Sequence, residues 1–338
     1  MLPPIEKFDS SIGVRIYRMP VLAFPTLLAY TYLLVGACTP TLVDCGSGYG
    51  DSNDHLIAAL KAVQSDFGEK LELQDIQRIF ITHGHIDHHG GLSFIRQKLH
   101  GAKVGIHPLD RRILVAYEER VVVSTKNLRV YLQRAGVSEK RVQDLLNMYG
   151  FAKRLITSEK VDFLLEEGTE IDGMTFIHAP GHCSGQVCIR IGDVLLTADH
   201  ILSRITPHQA PESITHYTGL GHYLDSLEKV KRLDGVRLGL GGHEEPITDI
   251  YARIEGIKED HHRKLERILD IIRGAENPVT ISDVSKAMYS EVHGYQVLLA
   301  LEEIGAHIEY LYEHGELAVC NLDEIEQSDN PVLLYRTS

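Results

Sequence analysis

Four histidines and a carboxylate fall within the seven residues His83-Gly84-His85-Ile86-Asp87-His88-His89. Neutral imidazoles and carboxylates are the donors that borderline divalent ions such as zinc prefer. His83 and His85 are two apart and can grip one ion, while Asp87 and His88, a turn of loop further on, can reach a second. A bare His-X-His would be equally at home in a polar surface loop. The added Asp and His at this spacing favour metal. His89 has no evident place in such a set and reads as a supporting residue.

Three later residues repeat the pattern of a polar side chain at the end of an apolar run. His182 sits in the turn Ala179-Pro180-Gly181-His182. Asp199 closes the run 194–198, where an unpaired carboxylate would be costly unless it met a cation. His243 follows Gly241-Gly242 after another short apolar run. Asp44 ends a third run at the bend Asp44-Cys45-Gly46, where it can orient a ligand or cap an Asx-type turn. His200, Tyr217 and Tyr223 are weaker candidates for touching a substrate, and the helical pattern over 222–233 fits a structural role for its tyrosine.

The elements around these residues alternate in type. Strands are expected over 13–18, 27–35, 41–44, 78–81, 103–107, 161–165, 174–178, 186–191 and 193–198, with helices over 55–63, 92–99 and 222–233. The metal cluster therefore lies on a strand-to-helix loop, in a mixed α and β chain. From 111 to 160 the pattern becomes helical, and eleven Lys and Arg stand there against five Asp and Glu, in a chain whose formal net charge is −13. That contrast suggests a helical insertion facing an anionic partner, although a solvated helical face of mixed charge is the plainer account.

In order and type, His83-X-His85-X-Asp87-His88, then His182, Asp199 and His243, with Asp44-X-Gly46 before them, resemble the metallo-β-lactamase superfamily of hydrolases. The resemblance covers residues from about 12 to 248. It implies a four-layer αββα sandwich with the metals in a cleft at one edge of two sheets. His83, His85 and His182 would hold one ion, and Asp87, His88 and His243 the other, with Asp199 bridging them. Asp87 and Asp199 would thus be the catalytic carboxylates. The ions would be divalent, with zinc preferred and iron or manganese as alternatives. A hydroxide bridging them would attack an ester or thioester, a lactone or acyl-CoA type of substrate included, in the manner of glyoxalase II. The other readings are a phosphodiesterase or RNA endonuclease, a mononuclear iron persulfide dioxygenase, and a metal-stabilised regulator.

The domain expectation is a catalytic domain over 1–248 with its insertion at about 108–160, then a winged-helix-like domain over 249–338. The tail is expected to have helices over 249–273 and 295–311, a middle helix opening near 279 with Ser282 as N-cap, and a hairpin wing over 316–335. Residues 295–312 carry Glu302, Glu303 and Glu309 and no Lys or Arg, which speaks against DNA in favour of packing on the catalytic domain or a second subunit. An anionic small molecule is the expected partner, with RNA left open and a homodimer allowed for. No apolar run reaches the roughly 18 residues of a membrane span. Five scattered cysteines with no Cys-X-X-Cys pair, and no signal-like N-terminus, fit a reducing cytoplasmic setting.

Overall fold

A computed structural model describes residues 2–151 and 156–338. Lys153 and Arg154, two of the cations counted in the insertion, lie outside the described residues. The strands in chain order are β1 (Glu6–Asp9), β2 (Val14–Phe24), β3 (Leu27–Gly36), β4 (Thr41–Val43), β5 (Arg78–Phe80), β6 (Lys103–Ile106), β7 (Phe163–Leu164), β8 (Glu170–Ile171), β9 (Met174–His178), β10 (Val187–Ile191), β11 (Val194–Ala198), β12 (Leu238–Gly241), β13 (Leu317–Val319) and β14 (Tyr335–Thr337). The helices are α1 (Ser52–Phe67), α2 (Ile86–His89), α3 (Leu92–Lys98), α4 (Arg111–Val115), α5 (Tyr117–Arg134), α6 (Glu139–Phe151), α7 (Leu220–Lys231), α8 (Ile250–Gly274), α9 (Ile281–Met288), α10 (Gln296–Glu313) and α11 (Leu322–Gln327).

One sheet has the order β1-β2-β3-β4-β5-β6-β7 and a second the order β12-β11-β10-β9-β8. Alternate residues of both, among them Ile16, Leu34, Phe80, Phe176, Ile189 and Leu240, share one buried apolar cluster, so the sheets face each other across it. The opposite side of the first sheet, with Tyr17, Leu33 and Ile79, packs against Leu56, Leu60 and Ile95 of α1 and α3. On the second sheet's side, α7 fastens through the Ser226 hydroxyl, which donates to the Pro180 carbonyl at 2.7 Å. The architecture is the expected αββα sandwich, and its strands β4, β5, β6 and β7 run parallel.

Several expectations shift. The second strand does not stop at 18 but continues to Phe24, because Pro20 lies opposite Tyr30 in an antiparallel pair that carries on past it. Proline lacks a donor and normally argues against a strand interior. Asp87 and His88 stand on the single helical turn α2 rather than on loop.

The contacts divide the chain into two compact units. The first comprises Met1–Glu118, Leu155–Pro207 and Ser226–Ile254, and the second Glu119–Arg154, His208–Asp225 and Glu255–Ser338. Within the second, Leu132 of α5, Leu145 of α6, Ile268 of α8, Val284 of α9 and Ile304 of α10 belong to one buried cluster. The segments expected as an insertion and as a tail therefore feed a common core. Over the stretch expected as a hairpin, β13 and β14 pair from Leu317↔Thr337 to Val319↔Tyr335, with α11 between them in the chain instead of a tight turn. No helix among the described residues is long and apolar enough to cross a membrane.

The N-cap of α9 is Thr280, not Ser282. The Thr280 hydroxyl accepts from the Asp283 amide at 3.1 Å while the Asp283 carboxylate accepts from the Thr280 amide at 3.1 Å, a reciprocal capping box that Ser282, already inside the helix and buried, cannot form. Thr280→Ala should therefore lower unfolding stability by about 1 kcal/mol and Ser282→Ala by clearly less. Paired urea titrations of the two variants measure this, and an equal or larger loss for Ser282→Ala would contradict the assignment.

Candidate metal centre

The seven expected donors come from the C-terminal ends of four strands. His83 and His85 follow β5, with Asp87 and His88 on the adjoining α2; His182 lies between β9 and β10; Asp199 follows β11 and His243 follows β12. All are buried or nearly so. Donor atoms of His83, His85 and His182 lie within 4.8 Å of one another, and so do those of Asp87, His88, Asp199 and His243. The Sγ of Cys183 joins the first group, which the sequence did not suggest.

Asp199 links the two groups. Its Oδ2 is 3.3 Å from His243 Nε2, 3.4 Å from His88 Nε2, 3.7 Å from His182 Nε2 and 3.9 Å from His83 Nε2. A register shift between Leu196 and Ala198, with Ala198 at φ 45°, turns the chain just before this carboxylate. Such bulges re-aim side chains at strand ends. Space is tight as well: a Cβ at Gly242 would come within 2.3 Å of Asp199 Oδ1 and 2.6 Å of the His88 ring, so the residue before His243 must be glycine.

The two groups differ electrically. Burial, reinforced by neighbouring imidazoles, holds His83 and His85 well below the usual histidine range, and both stay neutral. For His88 burial pulls the same way, but Asp199, Asp87 and Asp44 outweigh it and raise the ring well above that range. His243 is raised to about 10, where Asp199 and Asp87 overcome its burial. Burial would push Asp87 and Asp199 up, yet His88 and His243 keep both carboxyls below the ordinary carboxylate range. Two carboxylates and two imidazoliums thus balance in one small volume. A divalent cation would supply the same charge there and release those protons.

The residues fit such ions. Nε2 of His83, Nε2 of His88 and Oδ1 of Asp199 are buried without a hydrogen-bond partner. Leaving such atoms unpaired costs of the order of 1–3 kcal/mol each, which a coordinated ion would relieve. Neutral imidazoles and ionised carboxylates are also the donors that zinc accepts.

Each group is braced by a carboxylate. Asp44, in the left-handed conformation at φ 59° after β4, accepts from the Thr82 amide and hydroxyl, both at 2.8 Å, and its Oδ2 is 2.8 Å from His88 Nδ1. Once His88 gives up its second proton to an ion, that contact keeps the remaining proton on Nδ1 and leaves the Nε2 lone pair facing inward. Asp110, after β6, was not anticipated. Its Oδ2 accepts from the Gly84 amide at 2.8 Å and its Oδ1 from the Gly185 amide at 2.9 Å, tying the His83–His85 loop to the His182 turn. A Cβ at Gly185 would lie 2.6–2.8 Å from Asp110, so this turn also needs its glycine. The available signal was a second carboxylate two strands over from Asp44, on the other side of β5. His243 Nδ1 donates to the Leu28 carbonyl at 2.6 Å, and the Tyr30 amide donates to the Gly242 carbonyl at 2.8 Å, fixing the last turn to β3.

The remaining candidates stand apart. His89 is buried against the ring of Tyr117, and His200 is fully buried, its pKa pulled down to about 3 by burial. Tyr217 and Tyr223 belong to the second unit, where the Tyr223 ring meets that of His261 edge-on at 5.5 Å.

Comparison with known proteins agrees with this geometry. The sequence model of the metallo-beta-lactamase superfamily matches residues 25–243. A Bacillus subtilis protein described as a "probable metallo-hydrolase" is 25% identical over 298 residues, covering 83% of this chain and 86% of that one. A "beta-lactamase-like protein 2 homolog" of Caenorhabditis elegans is 24% identical over 320 residues, covering 92% and 88%. The crystal structure of a metallo-beta-lactamase family protein from Thermus thermophilus superposes with a TM-score of 0.74 at 26% identity, covering 96% of this chain and 98% of the other.

The two braces should separate experimentally. Asp44→Asn should weaken the ion of the His88 group by about 10–100-fold, and Asp110→Asn the ion of the His83 group by a similar factor. Chelator competition followed ion by ion would show it. Equal loss of both ions in both variants, or no loss in either, would sink the division into two groups.

Proposed function

The chain belongs to the metallo-beta-lactamase superfamily and is a metallo-hydrolase, and from that premise we propose that it cleaves a thioester or ester at a two-ion centre. In this reading His83, His85 and His182 hold one divalent ion, Asp87, His88 and His243 the other, and Asp199 bridges them. Zinc is the preferred metal. The observation that carries the reading is the position of Asp199 Oδ2, within 3.9 Å of imidazole nitrogens from both groups.

Divalent ions held by these residues would supply a hydroxide at neutral pH and polarise a carbonyl oxygen. The protein's own residues do the rest. Asp44 fixes the tautomer of His88, the Leu28 carbonyl fixes that of His243, and Asp110 sets the distance between the His83–His85 loop and the His182 turn. Asp87 and Asp199, held ionised by His88 and His243, offset the charge of the ions. Burial of the histidines keeps competing water from their nitrogens.

The donor groups occupy the titratable side chains of the centre, and the other histidines nearest in sequence, His89 and His200, are buried away in their own contacts. That arrangement suits a leaving group that departs without a proton. A thiolate does so, whereas an amine or alkoxide gains far more from a general acid. Thioesters therefore come first, with activated esters and lactones next. The substrate is expected to be anionic, with the negative charge on the thiol side as in a coenzyme A or glutathione thioester, and the cytoplasm is the expected setting.

Steady-state assays of the zinc-loaded chain on acyl-thioester, lactone and RNA panels test the proposal. The expected result is chelator-sensitive turnover of a thioester, exceeding lactone turnover and nearly independent of salt. Turnover of RNA alone, falling steeply with ionic strength, would replace the thioester reading with a phosphodiesterase.

A further inference from the structure

The second unit contains a buried group that the hydrolytic centre does not use. His261 on α8 and Glu303 and His307 on α10 are almost fully buried, and one donor atom from each lies within 4.8 Å of the others. Glu303 and His307 are four apart on α10, which places them on one helix face.

The partners of these rings fix their protons. His307 Nδ1 is 2.6 Å from the Glu303 carbonyl, an acceptor only, so the proton is on Nδ1 and Nε2 presents a lone pair. His261 Nδ1 faces that lone pair at 3.0 Å. The other nitrogen of His261, Nε2, is buried with no hydrogen-bond partner. The hydrolytic centre has the same two devices: His85 Nδ1 and His182 Nε2 face each other at 2.9 Å, and a backbone carbonyl locks Nδ1 of His243 at 2.6 Å. An imidazole pair in this geometry shares either a proton or a cation.

We propose that His261, His307 and Glu303 form a separate site for a borderline divalent cation such as zinc, joining α8 to α10. The ion takes the lone pair of His307 Nε2 and that of His261 Nδ1, whose proton passes to Nε2. No hydrogen bond is lost at Nε2 in that exchange, because none is made there. Neutral imidazoles with a carboxylate match the donor preferences of zinc, and the carbonyl lock on His307 is the outer support that metal-binding histidines commonly have.

Glu303 is shared. Its Oε1 takes the Lys264 ammonium at 2.6 Å, and its Oε2 accepts from the Gln209 amide at 2.8 Å beside His208 Nδ1 at 3.5 Å. Lys264 therefore competes with a cation for Oε1, and with a quarter of its side chain exposed it can move into water when the ion arrives. The competition gives the site a signature that a purely structural histidine pair lacks.

The full chain, stripped of metal and titrated with zinc, provides the test, with bound zinc counted after gel filtration. His307→Gln should bind one zinc fewer per chain than the wild type. Lys264→Met should keep the wild-type number and bind that ion about 10-fold more tightly, because a positive charge beside it is gone. The hydrolytic ligands are intact in both variants, so a wrong assignment of that centre would shift all three proteins alike and leave the differences standing. Identical zinc numbers and affinities in the wild type and both variants would overturn the proposal.

Discussion

A buried carboxylate needs compensating positive charge, and Asp199 is placed where the whole first unit must provide it. Its Oδ2 lies 3.3–3.9 Å from four imidazole nitrogens. Those imidazoles come from three different turns, and every turn is at the C-terminal end of a strand. The sandwich meets the requirement because two sheets that face each other over a shared apolar cluster bring such ends together along one edge. The same carboxylate would be a strong liability in a core without those rings.

The precision of the arrangement comes from backbone contacts more than from the donors themselves. In the first sheet β5 leads into the His83–His85 loop, and its parallel neighbours β4 and β6 are followed by Asp44 and, after a short turn, Asp110. Each flanking carboxylate accepts from backbone amides of that loop, so the loop is held from both sides. Across the cleft, β3 grips the last turn through Leu28, Tyr30 and the Tyr32 hydroxyl, which donates to the Gly241 carbonyl. Such fixed backbone supports order the donors before any ion arrives, which is the structural meaning of preorganisation at a metal site.

Most of this was legible in the sequence because each donor follows an apolar run that can only be a buried strand. His83, His182, Asp199 and His243 share that signal; the alternation of elements gives a mixed α and β chain, and the αββα layering came from the family resemblance. Asp110 escaped notice because it stands four residues past β6, on the short turn Pro108–Asp110, and not at the strand end itself. The extension of β2 was masked by Pro20, whose missing donor is tolerated opposite Tyr30. The acids of α10 spoke only against DNA in the sequence, yet Glu303 is buried against Lys264 and His208, partners far away in the chain. Pairings of that range leave no local pattern to read.

The central claim is that one carboxylate, Asp199, joins two ions held by different sets of side chains. Anomalous diffraction at the zinc edge from crystals of the metal-loaded chain measures it directly. The account predicts two peaks flanking Asp199, about 3.5–4 Å apart, one beside His83, His85 and His182 and the other beside Asp87, His88 and His243. A single peak at this edge of the sandwich, or two peaks with Asp199 in contact with neither, would contradict it.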